Sequence, residues 1–553
     1  MRVVKPTDTE QPGGRSAIRG WTAALAVVCA GSLWLQFNHI ENTLPYPYET
    51  DESAITGPAT RILQTGTLHP ELFIYPSLPT YLTALGMSVG FLHSAARLEI
   101  NDIQKLGNVA YPYYGTPGVM RAARQLFAVL AIVALAATGA ASWHAFRSPP
   151  TIVFAPLVLW ASPLFFHHSW AYVNVDIAAT CFAMLTLAAC LQGTRQPSIW
   201  QSAVIPGAFA GFATGSKYTL IVLIVPVLLA IGLHWTGTRR LWAALAASAT
   251  LVAAFLIVVP YSLLAIPTFL QWVAFDAMHY AEGHAGWDGD PGLPQLLFYG
   301  RHFVSEFGAI GMAAAVLGMG ASFKADWRRA FVLASFPVTL LWLLSSQRVH
   351  FPRNVLSLHP IAAMFVVYGM WSIYGWALSG AARHEQGSRL FTHVRLVVIL
   401  LLVAAAVPLR HVRDHVRDRT DSRKIAQRWI EQRVPSDWTI VVPSQMAFDS
   451  RPLKARGAHV TEIDLQSVRD AGAWQRLLSS VQQPAVLLVP HWGADSRYPG
   501  QDTADTLNEV SSHLQVVRTF GSNPVLVNYP PPTAWGDPAF AVAVLGPQAL
   551  VLR

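Results

Sequence analysis

Two acidic side chains, Asp51 and Glu52, stand together soon after the first long apolar stretch of this 553-residue chain. A carboxylate fixed near a membrane surface can take the proton from a hydroxyl within hydrogen-bond reach. A carboxylate pair held against the outer surface could act as a base on a lipid-borne substrate. The plain alternative for two acids in a loop is a solvated turn. Flanking charges set their side of the membrane. Trp21 through Phe37 carry no charge, and Arg2, Lys5, Arg15 and Arg19 precede them. Basic flanks stay cytoplasmic, so the segment delivers Asp51 and Glu52 to the outer face.

The same face is expected to collect Asp176, Lys217, His279, His284, Arg301, His302, Arg348, His350 and Arg353. Ionisable groups in or beside a bilayer are costly, and are functional, paired or snorkelling. Acids, histidines and cations gathered on one side point to a single polar cavity there, with Tyr218 beside Lys217. For any one of them a solvated loop side chain is the equal alternative. The spacing of His279, His284 and His302 is too irregular for a regular metal site. No metal ligand is assigned, and a divalent cation stays open.

The elements that must position these residues are apolar. The chain is 53% hydrophobic and 13% charged, with a mean hydropathy of +0.36, which excludes one large soluble core. The net charge of +8 resides mostly in short loops between apolar segments, a topology signal rather than a nucleic-acid footprint. Apolar segments fall at about 20–37, 76–93, 120–143, 151–167, 173–192, 201–215, 218–235, 242–264, 306–321, 330–345, 356–378 and 394–409. Segment 76–93 holds Pro76, Pro79, Gly86 and Gly90 and makes a poor spanning helix. If it lies along the interface, Arg147, Arg195, Arg239-Arg240, Lys324-Arg328-Arg329 and Arg383-Arg389-Arg395 all fall inside, as the basic bias requires. The expectation is a polytopic α-helical membrane protein of about eleven spanning helices, N-terminus in and C-terminus out. The first segment lacks a small-x-small cleavage site and reads as a retained anchor. Cys29, Cys181 and Cys190 all lie in apolar segments, which argues against a disulfide framework.

From residue 410 the chain becomes mixed in charge. Apolar runs at 438–442, 485–490 and 525–528 read as strands, and 422–433 and 503–513 as helices. Residues 1–409 thus form a transmembrane domain and 410–553 a soluble α/β domain on the outer face, a cap or an acceptor-binding unit. Between Asp51-Glu52 and the next segment, Pro58 and Gly66 bracket a short helix, proline near its start and glycine past its end.

Several stretches, in order, resemble the GT-C glycosyltransferases that use polyprenyl-phosphate sugars, among them the protein O-mannosyltransferases and the lipid A aminoarabinose transferase. Tyr48-Glu49-Thr50-Asp51-Glu52 is similar to the acidic motif of their first outer loop. His69-Pro70-Glu71 through Tyr81 is similar to the aromatic-proline stretch after it. Val119-Met120-Arg121 matches the entry of the second spanning helix, and Ser162-Pro163 through Asp176 the second outer loop. Gly211 through Lys217-Tyr218 resembles a Gly-x-Ala-x-x-Thr-Lys segment, with Ser216 in place of threonine. Phe351-Pro352-Arg353 through Pro360 resembles an Arg-Tyr-Leu-x-Pro helix entry. Asp421 through Trp429-Ile430 echoes the tail of bacterial members.

The resemblance implies a GT-C fold and an inverting transfer of a hexose or pentose from a polyprenyl-phosphate-linked donor to a lipid or glycan hydroxyl. It implies a bacterial plasma-membrane protein of the cell envelope, in contact with membrane lipids and with no nucleic-acid partner. Asp51 becomes the base, and Glu52 beside it orients the acceptor or holds a divalent cation. Arg121, Lys217 and Arg353 become the contacts of the leaving phosphate, and Asp176, Tyr218, Arg301 and His302 line the cavity. Ile74-Tyr75-Pro76-Ser77 lacks the lysine that the aminoarabinose transferase carries after an aromatic, which counts against that donor sugar and shifts phosphate contact to the other cations. No inserted central domain appears, so a protein acceptor has no support. The alternative is a polytopic transporter or lipid flippase without transferase activity. It would need internal repeats with paired broken helices, and none is visible.

Overall fold

The structure is a computed structural model. It describes residues 12–46, 51–106, 115–193, 198–284, 287–381, 409–413, 415–416, 420–443, 448–464, 472, 476, 479–481, 484–490, 515–520 and 540–545. The chain forms two compact units, one of residues 1–37, 65–86 and 123–417, the other of residues 38–64, 87–122 and 418–553. In chain order the helices are α1 (Pro12–Thr43), α2 (Asp51–Thr65), α3 (Leu78–Ala96), α4 (Pro117–Phe146), α5 (Thr151–Ala161), α6 (Pro163–Trp170) and α7 (Val175–Gly193). They continue with α8 (Ile205–Thr214), α9 (Ile224–His234), α10 (Gly237–Val258), α11 (Tyr261–Leu264), α12 (Ile266–Glu282), α13 (Leu293–Ser345), α14 (His359–Ala381) and α15 (Ser422–Arg433).

The protein is a multi-pass helical membrane protein with a small C-terminal sheet, as expected. Among the described residues, α1, α4, α7, α10, α13 and the stretch Pro352–Trp376 are long and apolar enough to cross a membrane, and α5 with α6 makes a seventh if that bent pair is one span. The tally among these residues is lower than the expected eleven, for local reasons. Segment 151–167 bends by 77° between α5 and α6, where Ser162 caps α6 and Pro163 opens it, a sharp start signal. Segments 306–321 and 330–345 are both helical and lie on either side of a break at Asp326, so α13 counts once although it holds both of them. Helix α3, covering segment 76–93, is not among the candidate spans. Segment 394–409 lies almost wholly outside the described residues.

Close backbone approach packs the helices of the first unit. A Cβ at Gly207 or Gly211 of α8 would run into the carbonyl oxygens of Ala247 or Leu251 of α10. Gly318 of α13 and Gly369 of α14 likewise face the carbonyls of Phe365 and Ala314. Small residues at such crossings gain van der Waals contact where lipid supplies no hydrophobic drive.

In the second unit, α2 starts at Asp51 and carries Pro58 inside it. The reading of Pro58 as a helix start is therefore corrected: Asp51 and Glu52 occupy the first turn, where backbone N–H groups favour acids, and the proline forfeits a single intrahelical bond. Gly66 does follow the helix end, at φ +72°, as a left-handed cap. A five-stranded sheet runs β1 (Thr439–Pro443), β2 (His459–Ile463), β3 (Ala485–Pro490), β4 (Gln515–Phe520) and β5 (Phe540–Leu545), in spatial order β2-β1-β3-β5-β4. Strand β1 is parallel to β2 and β3, while β5 is antiparallel to β3 and β4. Ile440, Val442, Val486, Leu488 and Val542 form its core with Ala426 and Ile430 of α15. The expected helix at 503–513 and strand at 525–528 lie outside the described residues.

Candidate active site

The first unit builds its polar centre at a break between helices. Helix α8 ends at Thr214, and Lys217 takes extended backbone (φ −151°, ψ 120°) before a 3-10 turn at Tyr218–Leu223. The break aims Lys217 at its partners. Its Nζ donates to Asp176 Oδ1 at 2.7 Å and to Asn354 Oδ1 at 3.2 Å. Asp176 lies in the first turn of α7, and Asn354 in the 3-10 turn Pro352–Leu358. The pair is nearly dry, with the Lys217 and Asp176 side chains 14% and 4% exposed. The aromatic-proline stretch packs on the same break. Tyr218 Oη donates to the Phe73 carbonyl at 3.1 Å, and the Leu78 N–H to the Gly215 carbonyl at 3.2 Å.

Helix α12 carries Asp276 and Tyr280 toward this centre. Burial raises the Asp276 carboxyl above its usual range, opposed by His279 and then Lys217. The Tyr280 phenol is pushed up to about 12 by burial, against the pull of Arg353. Arg353 itself places its guanidinium 4.5 Å from the centroid of the Phe351 ring, a cation–π contact.

A second network runs through the same unit. Ser162 Oγ donates to Glu306 Oε2 at 2.6 Å, and the Leu164 N–H donates to the same oxygen at 3.1 Å. Ser162 Oγ also lies 3.2 Å from His359 Nδ1, and His359 Nε2 lies 3.1 Å from His302 Nε2. Proton bookkeeping fixes the tautomers. With the one hydroxyl proton on Glu306, His359 Nδ1–H donates to Ser162 and its Nε2 accepts from His302 Nε2–H. His302 then presents Nδ1 as a lone pair. The line Glu306–Ser162–His359–His302 is an ordered polar chain inside an apolar unit.

Among the predicted residues, Asp176, Lys217 and Tyr218 meet at this break, and His302 joins His359 rather than His279 or His284. Arg301 is exposed beside it. Asp51, Glu52 and Arg121 belong to the second unit. There Asp51 is half-buried and Glu52 fully buried, and Arg121 forms an ion pair with Glu41. An anion reaching Arg121 must compete with that carboxylate. Among the described residues no three His, Cys, Asp or Glu side chains group to hold a metal ion. Asn354, Glu306, Ser162 and His359 carry geometry that sequence reading assigned to none of them. Glu306 had a signal, an acid opening an apolar segment.

Residues 117–263, which hold Arg121, Asp176, Lys217 and Tyr218, match the family described as dolichyl-phosphate-mannose-protein mannosyltransferase. The match supports the GT-C reading. Members of this superfamily transfer sugars from polyprenyl-phosphate donors. No curated protein matches the chain. Among solved structures, ArnT from Cupriavidus metallidurans in the apo state is 14% identical at a TM-score of 0.48, over 96% of this chain and 99% of that one. The archaeal oligosaccharyltransferase AglB from Archaeoglobus fulgidus, in complex with an inhibitory peptide and a dolichol-phosphate, is 11% identical at a TM-score of 0.48, over 85% and 69%. Arabinofuranosyltransferase AftD from Mycobacteria is 14% identical at a TM-score of 0.41, over 95% and 40%.

Proposed function

We propose that this chain is a GT-C inverting glycosyltransferase, moving a hexose or pentose from a polyprenyl-phosphate donor to a lipid or glycan hydroxyl at the outer face of a bacterial plasma membrane. The observation that carries the reading is the buried Lys217–Asp176 pair within the segment that matches the mannosyltransferase family. A desolvated cation held by a carboxylate and an amide is pre-oriented, and needs little reorganisation to meet a departing phosphate. Arg353, on the turn that supplies Asn354, adds a second positive charge, and Arg121 is the third candidate.

In the reaction the acceptor oxygen attacks the anomeric carbon as the bond from that carbon to the phosphate oxygen breaks. The phosphate keeps the electron pair, and its growing charge is what the cations stabilise. The acceptor proton passes to Asp51, a carboxylate at a helix N-terminus, while Glu52 orients the acceptor. The order of the sequence motifs supports these two roles.

Mass spectrometry of surface glycans and envelope lipids, with and without the protein, tests the reading. Cells lacking the chain should lose one sugar from a lipid or glycan and accumulate the polyprenyl-phosphate sugar. Unchanged products with a lipid redistributed between leaflets would instead favour the transporter.

A further inference from the structure

His168 has a fixed tautomer and a buried ring nitrogen with no hydrogen-bond partner among the described residues. The residue sits on α6 and is 4% exposed. Its Nδ1 lies 3.0 Å from the Leu164 carbonyl oxygen. A carbonyl only accepts, so the proton sits on Nδ1 and Nε2 of the neutral ring is an acceptor. Among the described residues that Nε2 has no hydrogen-bond partner, although it is buried. Buried acceptors are rarely left unmet, and one that is unmet marks a place for a ligand or water.

The backbone around the ring is held from two sides. Leu164, whose carbonyl fixes the tautomer, donates its N–H to Glu306 Oε2. Asn174 donates from Nδ2 to the His168 carbonyl at 2.7 Å and the Tyr172 carbonyl at 3.0 Å, and its Oδ1 accepts from the Ile177 N–H at 2.9 Å. One asparagine therefore ties His168 to the first turn of α7, where Asp176 holds Lys217. Arg353 and Lys217 both act on the ring electrostatically, as does His302. Next to two permanent cations a third positive charge is unfavourable. The unpartnered nitrogen is thus suited to an O–H group and not to an anion.

We propose that His168 Nε2 accepts a hydrogen bond from a hydroxyl of the donor sugar whose phosphate is paired by Lys217 and Arg353, making His168 a residue that reads the sugar. The inference rests on the function proposed above. The phosphate cations hold any polyprenyl phosphate alike. A neutral acceptor held beside them discriminates by the sugar's hydroxyls, because a site built for a hydroxyl rejects a ligand that lacks it.

The test uses full-length protein in lipid nanodiscs. Binding is measured for undecaprenyl phosphate alone and for undecaprenyl phosphate carrying mannose, glucose or arabinose. The parent protein should prefer one sugar-bearing lipid over the bare phosphate. His168→Phe, which keeps the ring contact with Tyr172 at 5.3 Å, should weaken that lipid roughly tenfold and leave bare undecaprenyl phosphate within about twofold. The KM for the donor should rise more than kcat falls. His168→Gln, which retains an acceptor, should recover part of the preference. Equal weakening of both lipids by His168→Phe overturns the inference, since His168 would then serve the phosphate or the fold. An unchanged preference overturns it too, with a water alone meeting Nε2. A parent protein that binds neither kind of lipid overturns the proposed function itself, a result separable from any behaviour of the variant.

Discussion

Lys217 Nζ stands 2.7 Å from Asp176 Oδ1, although 41 residues separate them, and both side chains are largely withdrawn from solvent. Charges this dry are held in place by each other. Removing one leaves the other uncompensated in a low-dielectric surrounding, at about 3–5 kcal/mol. Lys217→Met or Asp176→Asn alone should therefore lower the unfolding midpoint markedly. The double variant should recover much of the loss, because no buried charge remains. Thermal unfolding of the three proteins in one detergent checks this, and an additive double variant would mean that the two residues act independently.

Packing of α13 on α14 gives a second expectation. A methyl group at Gly318 would meet the Phe365 carbonyl and the backbone of Gly369. Backbone cannot swing aside as a flexible side chain does, so Gly318→Ala should destabilise by about 1–3 kcal/mol. The control is Gly320→Ala, since a Cβ there meets nothing within 4 Å. Equal unfolding midpoints for the two variants would contradict the close crossing.

A pH response follows from His350. Its Nδ1 lies 3.1 Å from Gln295 Oε1, and its ring stacks on Phe298 at 3.9 Å between centroids. Burial lowers its pKa below 6.5, with Asp288 pulling it upward. A histidine depressed in the folded state contributes stability that is present above its unfolded pKa and lost as pH falls through the folded one. Unfolding midpoints measured from pH 7.5 down to about 4.5 should fall on the acid side. His350→Phe, which keeps the stack and cannot titrate, should flatten that limb. An unchanged acid limb would assign it to other groups.

Much of the architecture was written locally, where one stretch of chain decides its own shape. Helix α15 matches the expected 422–433, with Asp421 capping it by accepting from the Arg423 N–H, and the apolar run Ala485–Pro490 is a strand as read. Strand β2 escaped because His459, Thr461 and Glu462 are exposed at a sheet edge, so no apolar alternation announces it. The Ser162-Pro163 break was legible as a cap signal and was submerged in the hydropathy of 151–167. The site divides in the same way. Asp176 and Lys217 are visible as lone charges beside apolar runs, but their pairing, and the third partner Asn354, depend on chain crossings that no spacing reveals. His168 lies inside the stretch that resembles the second outer loop, yet its unpartnered Nε2 becomes apparent only once Leu164 fixes the tautomer.

The central claim, sugar transfer with Asp51 as the base, is tested most directly by comparing purified parent protein with Asp51→Asn. Binding and turnover of a polyprenyl-phosphate sugar would be measured side by side. A base acts on the acceptor and contributes little to holding the lipid, so donor binding should stay within about twofold. Transfer should fall by roughly 100-fold or more, the usual contribution of a positioned base. Near-parental turnover in Asp51→Asn would contradict the account and move the base to another carboxylate, with Glu52 first to be examined.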